Sequence, residues 1–232
     1  MPRLAVVRFP GSNCDLDAVH ALRTLKNVRA DLVWHEDDSL LGYDGVVLPG
    51  GFSFGDYLRA GAIASKSPAL ERVRRLADRG VPVLGICNGF QILIEAGLLP
   101  GALLRNSSLR FVCRWVAVRV ENNSTCFTRN MTKGQVLRLP IAHNEGRYFD
   151  SRPELRAIKA AGLVAFRYSD DRGMVSESAN PTGTLDNIAG VCNKKGNVLG
   201  LMPHPERATE PILSPNGTAD GALILQSMAG AG

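Results

Sequence analysis

The chain has 232 residues, with 27 lysines and arginines against 22 aspartates and glutamates, and a formal net charge of +5. This length suits one domain, and 45% hydrophobic with 21% charged residues excludes a disordered or fibrous protein. The basic residues are spread along the chain, so we expect no nucleic-acid partner. Neither a signal peptide nor an apolar stretch long enough for a membrane span is predicted.

The first hundred residues alternate between strand-like and helix-like patterns. Short apolar runs that end at Gly or Pro predict strands, and apolar residues at helical spacing predict helices. In chain order these are strand 4–9, helix 15–25, strands 30–35 and 44–48, helix 69–79, strand 81–86 and helix 90–96. Buried strands separated by helices are typical of a parallel sheet that is covered on both faces.

Beyond residue 101 the pattern becomes richer in strands. Strands are predicted over residues 111–120, 134–141, 163–168, 188–192 and 198–202, and a last helix over 219–228. The predicted fold class is therefore α/β, with a single doubly wound, mostly parallel sheet, flanking helices and additional mixed strands in the C-terminal half. We expect residues 1–232 to form one domain.

Cys87 is the strongest candidate for a catalytic residue. It stands between Gly85 and Gly89, where a buried strand runs directly into a helix. This is the pattern of a nucleophile elbow, in which flanking glycines permit a sharp turn and expose the nucleophile at the carboxyl end of the sheet. The amides and dipole of the following helix stabilise a thiolate, and the Asn88 amide can face an oxyanion.

The other cysteines predict neither a disulfide framework nor a metal site. Five cysteines are present, Cys14, Cys87, Cys113, Cys126 and Cys192, and no pair has the spacing of metal ligands. We therefore expect reduced thiols, a cytoplasmic location and no bound metal.

A catalytic thiol needs a general base, and the chain has four histidines. His20 lies in a predicted helix and His35 beside acidic residues, which leaves His143 and His204. His204 is flanked by prolines that favour an extended backbone, so the side chain of Glu206 lies on the same side and can orient its ring. His204 is therefore the predicted base and Glu206 its partner.

The segment Pro49-Gly50-Gly51-Phe52-Ser53 follows another predicted strand and offers amides for an oxyanion hole. A phosphate-binding loop is excluded, because Asp56 stands where that motif requires lysine after Gly50 and Gly55.

These motifs resemble the three signatures of the class I glutamine amidotransferases, which have a flavodoxin-like fold. They are residues 85–91 around Cys87, residues 49–53, and His-Pro-Glu at 204–206. Longer runs at residues 9–15, 55–61, 98–103, 141–143 and 200–207 are similar to the glutaminase subunits of phosphoribosylformylglycinamidine synthase. The resemblance covers essentially the whole chain.

The resemblance implies a role for each matching residue. Cys87 would attack the side-chain amide of L-glutamine, His204 would protonate the departing ammonia and then activate water, and Glu206 would hold His204. The amides of Gly51 or Phe52, together with that of Asn88, would bind the oxyanion. Gln91 and the stretch Asn144-Glu145-Gly146 would contact the amino-acid end of the substrate; glycine is common in the family at the position of Asn144.

The resemblance also implies partners. A synthetase subunit that binds ATP and magnesium would receive the ammonia and convert formylglycinamide ribonucleotide to formylglycinamidine ribonucleotide, and a small third subunit would bridge the two. This chain would itself hold no cofactor. Tyr57, Arg59 and Arg147 lie beside the motifs and are candidate interface residues.

Two other interpretations remain. An enzyme of the same architecture with another acceptor, or a cysteine hydrolase, is disfavoured by the long runs that match the purine-type subunits. A non-catalytic regulatory subunit is disfavoured by the intact Cys87, His204 and Glu206.

Overall fold

A computed structural model describes residues 1–37 and 40–230. Most of the described strands form one large sheet. They are β1 (Arg3–Arg8), β2 (Arg29–Trp34), β3 (Gly45–Leu48), β4 (Val83–Ile86), β5 (Ala102–Leu104), β6 (Val112–Val120), β7 (Val136–His143), β8 (Arg147–Phe149), β9 (Val164–Ser169), β10 (Ile188–Cys192) and β11 (Val198–Leu201).

The large sheet has the strand order β2-β1-β3-β4-β11-β10-β9-β6-β7. The strands from β2 to β11 in this order are all parallel. The remaining strands, which come from the C-terminal half of the chain, pair antiparallel. The predicted α/β class is confirmed, including the parallel sheet of the N-terminal half and the mixed strands that extend it.

The helices are α1 (Asp15–Thr24), α2 (Pro68–Asp78), α3 (Asn88–Glu95), α4 (Arg152–Ala160) and α5 (Asp220–Ala229). Four of them match predicted helices to within a few residues, which is the usual uncertainty of helix ends. No helix in the described part of the chain is long and apolar enough to cross a membrane.

Helix α4 and the small antiparallel pair formed by β5 and β8 are absent from the elements predicted from the sequence. The start of α4 carries a clear signal, because Ser151 is its N-cap and accepts a hydrogen bond from the amide of Glu154. Ser followed three residues later by Glu is the capping-box pattern. The pair β5–β8 has no such signal, since each strand has only three residues.

The register of the parallel strands brings three loops to one edge of the sheet. Leu48 of β3 lies opposite Gly85 of β4, and Ile86 of β4 lies opposite Leu201 of β11. The loops that follow these strands therefore leave the sheet side by side. All three strands are buried throughout, so the hydrophobic core fixes the relative positions of the loops.

Candidate active site

Cys87 occupies a strained turn between β4 and α3. Its backbone has φ 50° and ψ −105°, a conformation that residues other than Gly rarely adopt. The two glycines are required by close packing: a Cβ at Gly89 would lie 1.9 Å from the carbonyl oxygen of Leu48, and one at Gly85 would lie 2.6 Å from the carbonyl oxygen of Gly89. The turn places Cys87 at the N-cap of α3, next to the free amides of the first helical turn.

His204 and Glu206 form a buried pair directly after β11. The ring Nδ1 of His204 lies 2.6 Å from Oε1 of Glu206, and the two residues are 2% and 3% exposed. The backbone amide of His204 donates to the carbonyl of Pro140 on β7, which ties the segment to the antiparallel edge strand. The short 3-10 helix Pro205–Ala208 then carries Glu206 back beside the ring.

The surroundings of His204 favour its charged form. Burial lowers the pKa of His204, but the negative charge of Glu206, and then the nearby sulfur atoms of Cys87 and Cys14, raise it well above 6.5. Nδ1 is hydrogen-bonded to Glu206, whereas Nε2 has no hydrogen-bond partner among the described residues and is the nitrogen available for proton transfer. Such an imidazolium is suited to donate a proton to a leaving group.

Gly50 is the point where these side chains converge. A Cβ at this position would lie 2.8 Å from Cε1 of His204, 3.1 Å from Sγ of Cys14 and 3.4 Å from Cβ of Cys87. Glycine at position 50 therefore lets the histidine and the cysteine approach each other.

The loop after β3 carries Gly51 and Phe52, the two alternative amides predicted for the oxyanion hole. The amide of Phe52 donates to the carbonyl of Gly11 at 3.0 Å, so it is already used within the protein. The alternative between Gly51 and Phe52 is thereby narrowed to Gly51, which lines the pocket and has φ +143°. The Asn88 amide belongs to the first turn of α3, where amides lack intrahelical partners.

The predicted substrate-binding residues are only partly at the pocket. Gln91 and Asn144 line it, whereas Gly146 is buried behind the ring of His143. The Gln91 side chain is engaged within the protein, because Oε1 accepts from Nδ2 of Asn88 at 2.9 Å and Nε2 donates to the carbonyl of Glu145 at 2.7 Å. Gln91 therefore holds the loop after β7 against α3.

Several residues at the site were missed or left without a role. Asn106 holds the loop after β7 through bonds to the His143 carbonyl and the Gly146 amide. Cys14 is buried and accepts a hydrogen bond from Arg207 at 3.2 Å. No sequence spacing reveals these contacts, because the partners are far apart in the chain.

His143 was the second candidate base, and the structure gives it a different character. It is 3% exposed, lines the pocket, and has no hydrogen-bond partner for either ring nitrogen among the described residues. Burial, and then the charge of His204, lower the pKa of His143 to about 3. The ring is therefore neutral and unsuited to accept a proton at neutral pH.

A metal would compete with the histidine–carboxylate pair. Cys14, His204 and Glu206 each offer a ligand atom, all within 4.8 Å of one another. These are atom types that zinc prefers. The short bond between His204 and Glu206 would have to break, however, before Nδ1 and Oε1 could both face one ion.

The pocket in front of Cys87 has a volume of about 400 Å³. It lies between the loop after β3, the first turn of α3, the end of β7 and the segment after β11. Its lining combines polar and apolar residues, and it includes the acidic residues Asp56 and Glu145, which are far from Cys87 in sequence. A small polar molecule fits such a site.

Comparisons with known proteins agree with this geometry. Residues 1–224 match the family model described as CobB/CobQ-like glutamine amidotransferase domain. Phosphoribosylformylglycinamidine synthase subunit PurQ of Aquifex aeolicus is 53% identical over 226 residues, covering 97% of this chain and 98% of that protein. The same subunit of Thermus thermophilus is 57% identical over 219 residues, or 94% of each chain.

Two solved structures are also similar to this chain. A chain in the structure of PurLQS from Thermotoga maritima has a TM-score of 0.84 and 46% identity, covering 98% of this chain and 97% of that one. The glutaminase domain of CTPS from Trypanosoma brucei has a TM-score of 0.60 at 17% identity, covering 99% of this chain and 94% of that one, which shows a shared fold.

Proposed function

The chain belongs to the PurQ family of glutamine amidotransferases, and we propose that it is the glutaminase subunit of a phosphoribosylformylglycinamidine synthase. It hydrolyses L-glutamine to glutamate and ammonia. The observation that carries this proposal is the elbow cysteine Cys87 beside the buried pair of His204 and Glu206.

The geometry supports a two-stage reaction. The Cys87 thiolate attacks the side-chain amide carbon of glutamine, and the amides of Gly51 and Asn88 hold the resulting oxyanion. His204 donates its Nε2 proton to the nitrogen as the carbon–nitrogen bond breaks, which releases ammonia and leaves a thioester. His204 then takes a proton from water, whose attack on the thioester breaks the carbon–sulfur bond and releases glutamate. Glu206 orients the ring throughout.

The ammonia is passed to a synthetase subunit, which converts formylglycinamide ribonucleotide to formylglycinamidine ribonucleotide. The similarity to one chain of a solved PurLQS assembly supports such a partner. ATP and magnesium are held by the synthetase, and a small third subunit bridges the two. In this proposal residues 1–232 act as one glutaminase domain in the cytoplasm, without a cofactor of their own.

Covalent labelling tests the assignment of the nucleophile. A glutamine-mimicking alkylating analogue should modify Cys87 alone, as measured by peptide mass spectrometry. Burial raises the pKa of both Cys126 and Cys192 to about 11, so neither is a competing thiolate at neutral pH. Cys14 lies in the same pocket and is therefore the informative comparison.

The matched controls are Cys14→Ser and Cys113→Ser, the latter at an exposed cysteine. Both should retain full labelling, whereas Cys87→Ser should lose it. Undiminished labelling of Cys87→Ser would contradict the assignment. The isolated chain should also hydrolyse glutamine slowly and be stimulated by the synthetase; full turnover by the chain alone would argue against coupling.

A further inference from the structure

Asp56 places a carboxylate in the pocket without a balancing cation. It ends the short 3-10 helix Ser53–Asp56 and lines the same pocket as Cys87 and Gln91. Within residues 1–37 and 40–230, no lysine, arginine or histidine forms an ion pair with Asp56. Its backbone is left-handed, with φ 53°, as is that of Phe54.

Hydrogen bonds fix this carboxylate relative to the nucleophile. Oδ1 of Asp56 accepts from Nδ2 of Asn88 at 3.2 Å, and Oδ1 of Asn88 accepts from the amide of Ser53 at 3.2 Å. Asn88 is the residue after Cys87. The position of the Asp56 charge is therefore tied to the first turn of α3.

The protein surroundings of Asp56 disfavour its negative charge. Burial, and then the charge of Glu145, raise the pKa of Asp56 to about 6, although the bond from Asn88 lowers it. Glu145 has its own cation, because Arg105 lies 3.7 Å away. A cation inside the pocket would offset the cost of burying Asp56.

A second polar group of the pocket also lacks a partner. The buried ring of His143 has one donor and one acceptor nitrogen when neutral, and neither has a hydrogen-bond partner in the described part of the chain. Buried polar atoms are normally paired, so the pocket is built for a ligand with polar groups. A ligand that also balances the negative charge of Asp56 must carry a positive charge.

We propose that Asp56 binds the α-ammonium group of glutamine and thereby selects amino-acid amides over simple carboxamides. The reacting amide lies at Cys87, and the ammonium is at the opposite end of the same small molecule. Glu145 adds a second, weaker negative charge because Arg105 already neutralises it. This inference rests on the proposed glutaminase function.

The test combines a change in the protein with a change in the substrate. The chain in complex with its synthetase subunit is assayed with L-glutamine and with glutaramate, which is glutamine without its α-amino group. For the unmodified protein, kcat/KM should be about 10- to 100-fold lower with glutaramate, the effect of one charge-assisted hydrogen bond. For Asp56→Asn most of this difference should disappear, with the loss on glutamine appearing in KM.

Asparagine is a suitable replacement because it tolerates the left-handed backbone and can still accept the bond from Asn88. Glu71→Gln removes an exposed carboxylate of α2 and should keep the full difference between the two substrates. Glu145→Gln should keep most of it.

A pH series gives a second readout. Below about pH 6 the KM for glutamine should rise as Asp56 becomes protonated, and Asp56→Asn should abolish that rise. The other charged or titratable groups of the pocket are Cys14, Cys87, His143, Glu145, His204 and Arg207. They are present in both proteins, so their effects cancel in the comparison.

The outcomes separate the two proposals. An unchanged preference for glutamine in Asp56→Asn, or an equal loss on both substrates, would overturn the role of Asp56. Absence of glutamine hydrolysis by the unmodified complex would instead contradict the proposed function.

Discussion

Two buried histidines face the same pocket from different parts of the sheet, and they prefer opposite protonation states. His204 follows β11 in the parallel part and has a pKa well above 6.5. His143 ends β7 at the antiparallel edge and has a pKa of about 3. Both are almost fully buried, so burial does not explain the difference.

The main cause of the difference is one carboxylate, and the sulfur atoms of Cys87 and Cys14 add to its effect on His204. Burial disfavours the charged form of both rings, and only His204 has Glu206 at 2.6 Å to reverse that effect. The charge on His204 then lowers the pKa of His143 further. The site thus contains one histidine that can transfer protons and one neutral histidine that can only form hydrogen bonds.

Removing this carboxylate should produce the largest effect. In Glu206→Gln, His204 loses the carboxylate that stabilises its positive charge and holds its ring in place. The kcat for glutamine hydrolysis should therefore fall about 10³- to 10⁴-fold. The measurement is steady-state glutaminase activity of the complex. Glu210→Gln, which affects an exposed carboxylate bonded to His20, is the matched control and should remain active. A loss of less than about 10-fold in Glu206→Gln would show that the pair is not required.

Added methyl groups should perturb the two histidines separately. Gly50→Ala places a Cβ 2.8 Å from the ring of His204, so turnover should fall about 100-fold through misplacement of the proton donor. Gly146→Ala places a Cβ 2.0 Å from the ring of His143 and should mainly lower the free energy of unfolding, by about 1–3 kcal/mol.

The control for both is Gly217→Ala, where nothing lies within 4 Å of the added Cβ and only the positive φ is unfavourable. Activity assays and denaturant unfolding together distinguish the three variants. Equal turnover of Gly50→Ala and Gly217→Ala would refute the packing argument.

Acid stability should show the smallest effect and isolate His143. The folded-state pKa of His143 lies below its unfolded value of about 6.5, so the unfolded chain binds the proton more tightly and stability falls from pH 6.5 towards pH 3. Between pH 6.5 and pH 5, the unmodified protein should lose about 2 kcal/mol more than His143→Asn.

His204 has the opposite sign, because its raised pKa contributes stability below pH 6.5 that is lost as the pH rises through its folded value. His204 is present in both the unmodified protein and His143→Asn, so its contribution cancels when their free energies of unfolding are subtracted. His20→Asn, at an exposed histidine, should follow the unmodified protein; identical acid profiles for all three would contradict a buried neutral His143.

Local sequence was enough to predict the elbow at Cys87 and the pairing of His204 with Glu206. Gly85 and Gly89 are needed because a side chain at either position would clash with nearby backbone atoms. Their spacing around a cysteine at the end of a strand is nevertheless visible in the sequence. His204 and Glu206 are two residues apart, and the local 3-10 turn Pro205–Ala208, rather than the expected extended backbone, brings their side chains together. The capping box at Ser151 was equally local and would have predicted α4.

The tertiary structure decided which of these local possibilities are used. The amide of Phe52 donates a hydrogen bond to the carbonyl of Gly11, and the charge of Glu145 raises the pKa of Asp56. Arg207 donates a hydrogen bond to Cys14, which lies 193 residues away in the sequence. Each contact joins segments that lie far apart in the chain and meet only when the sheet forms. Spacing can therefore identify the nucleophile and its base, whereas the state of each polar group depends on the atoms that folding places around it.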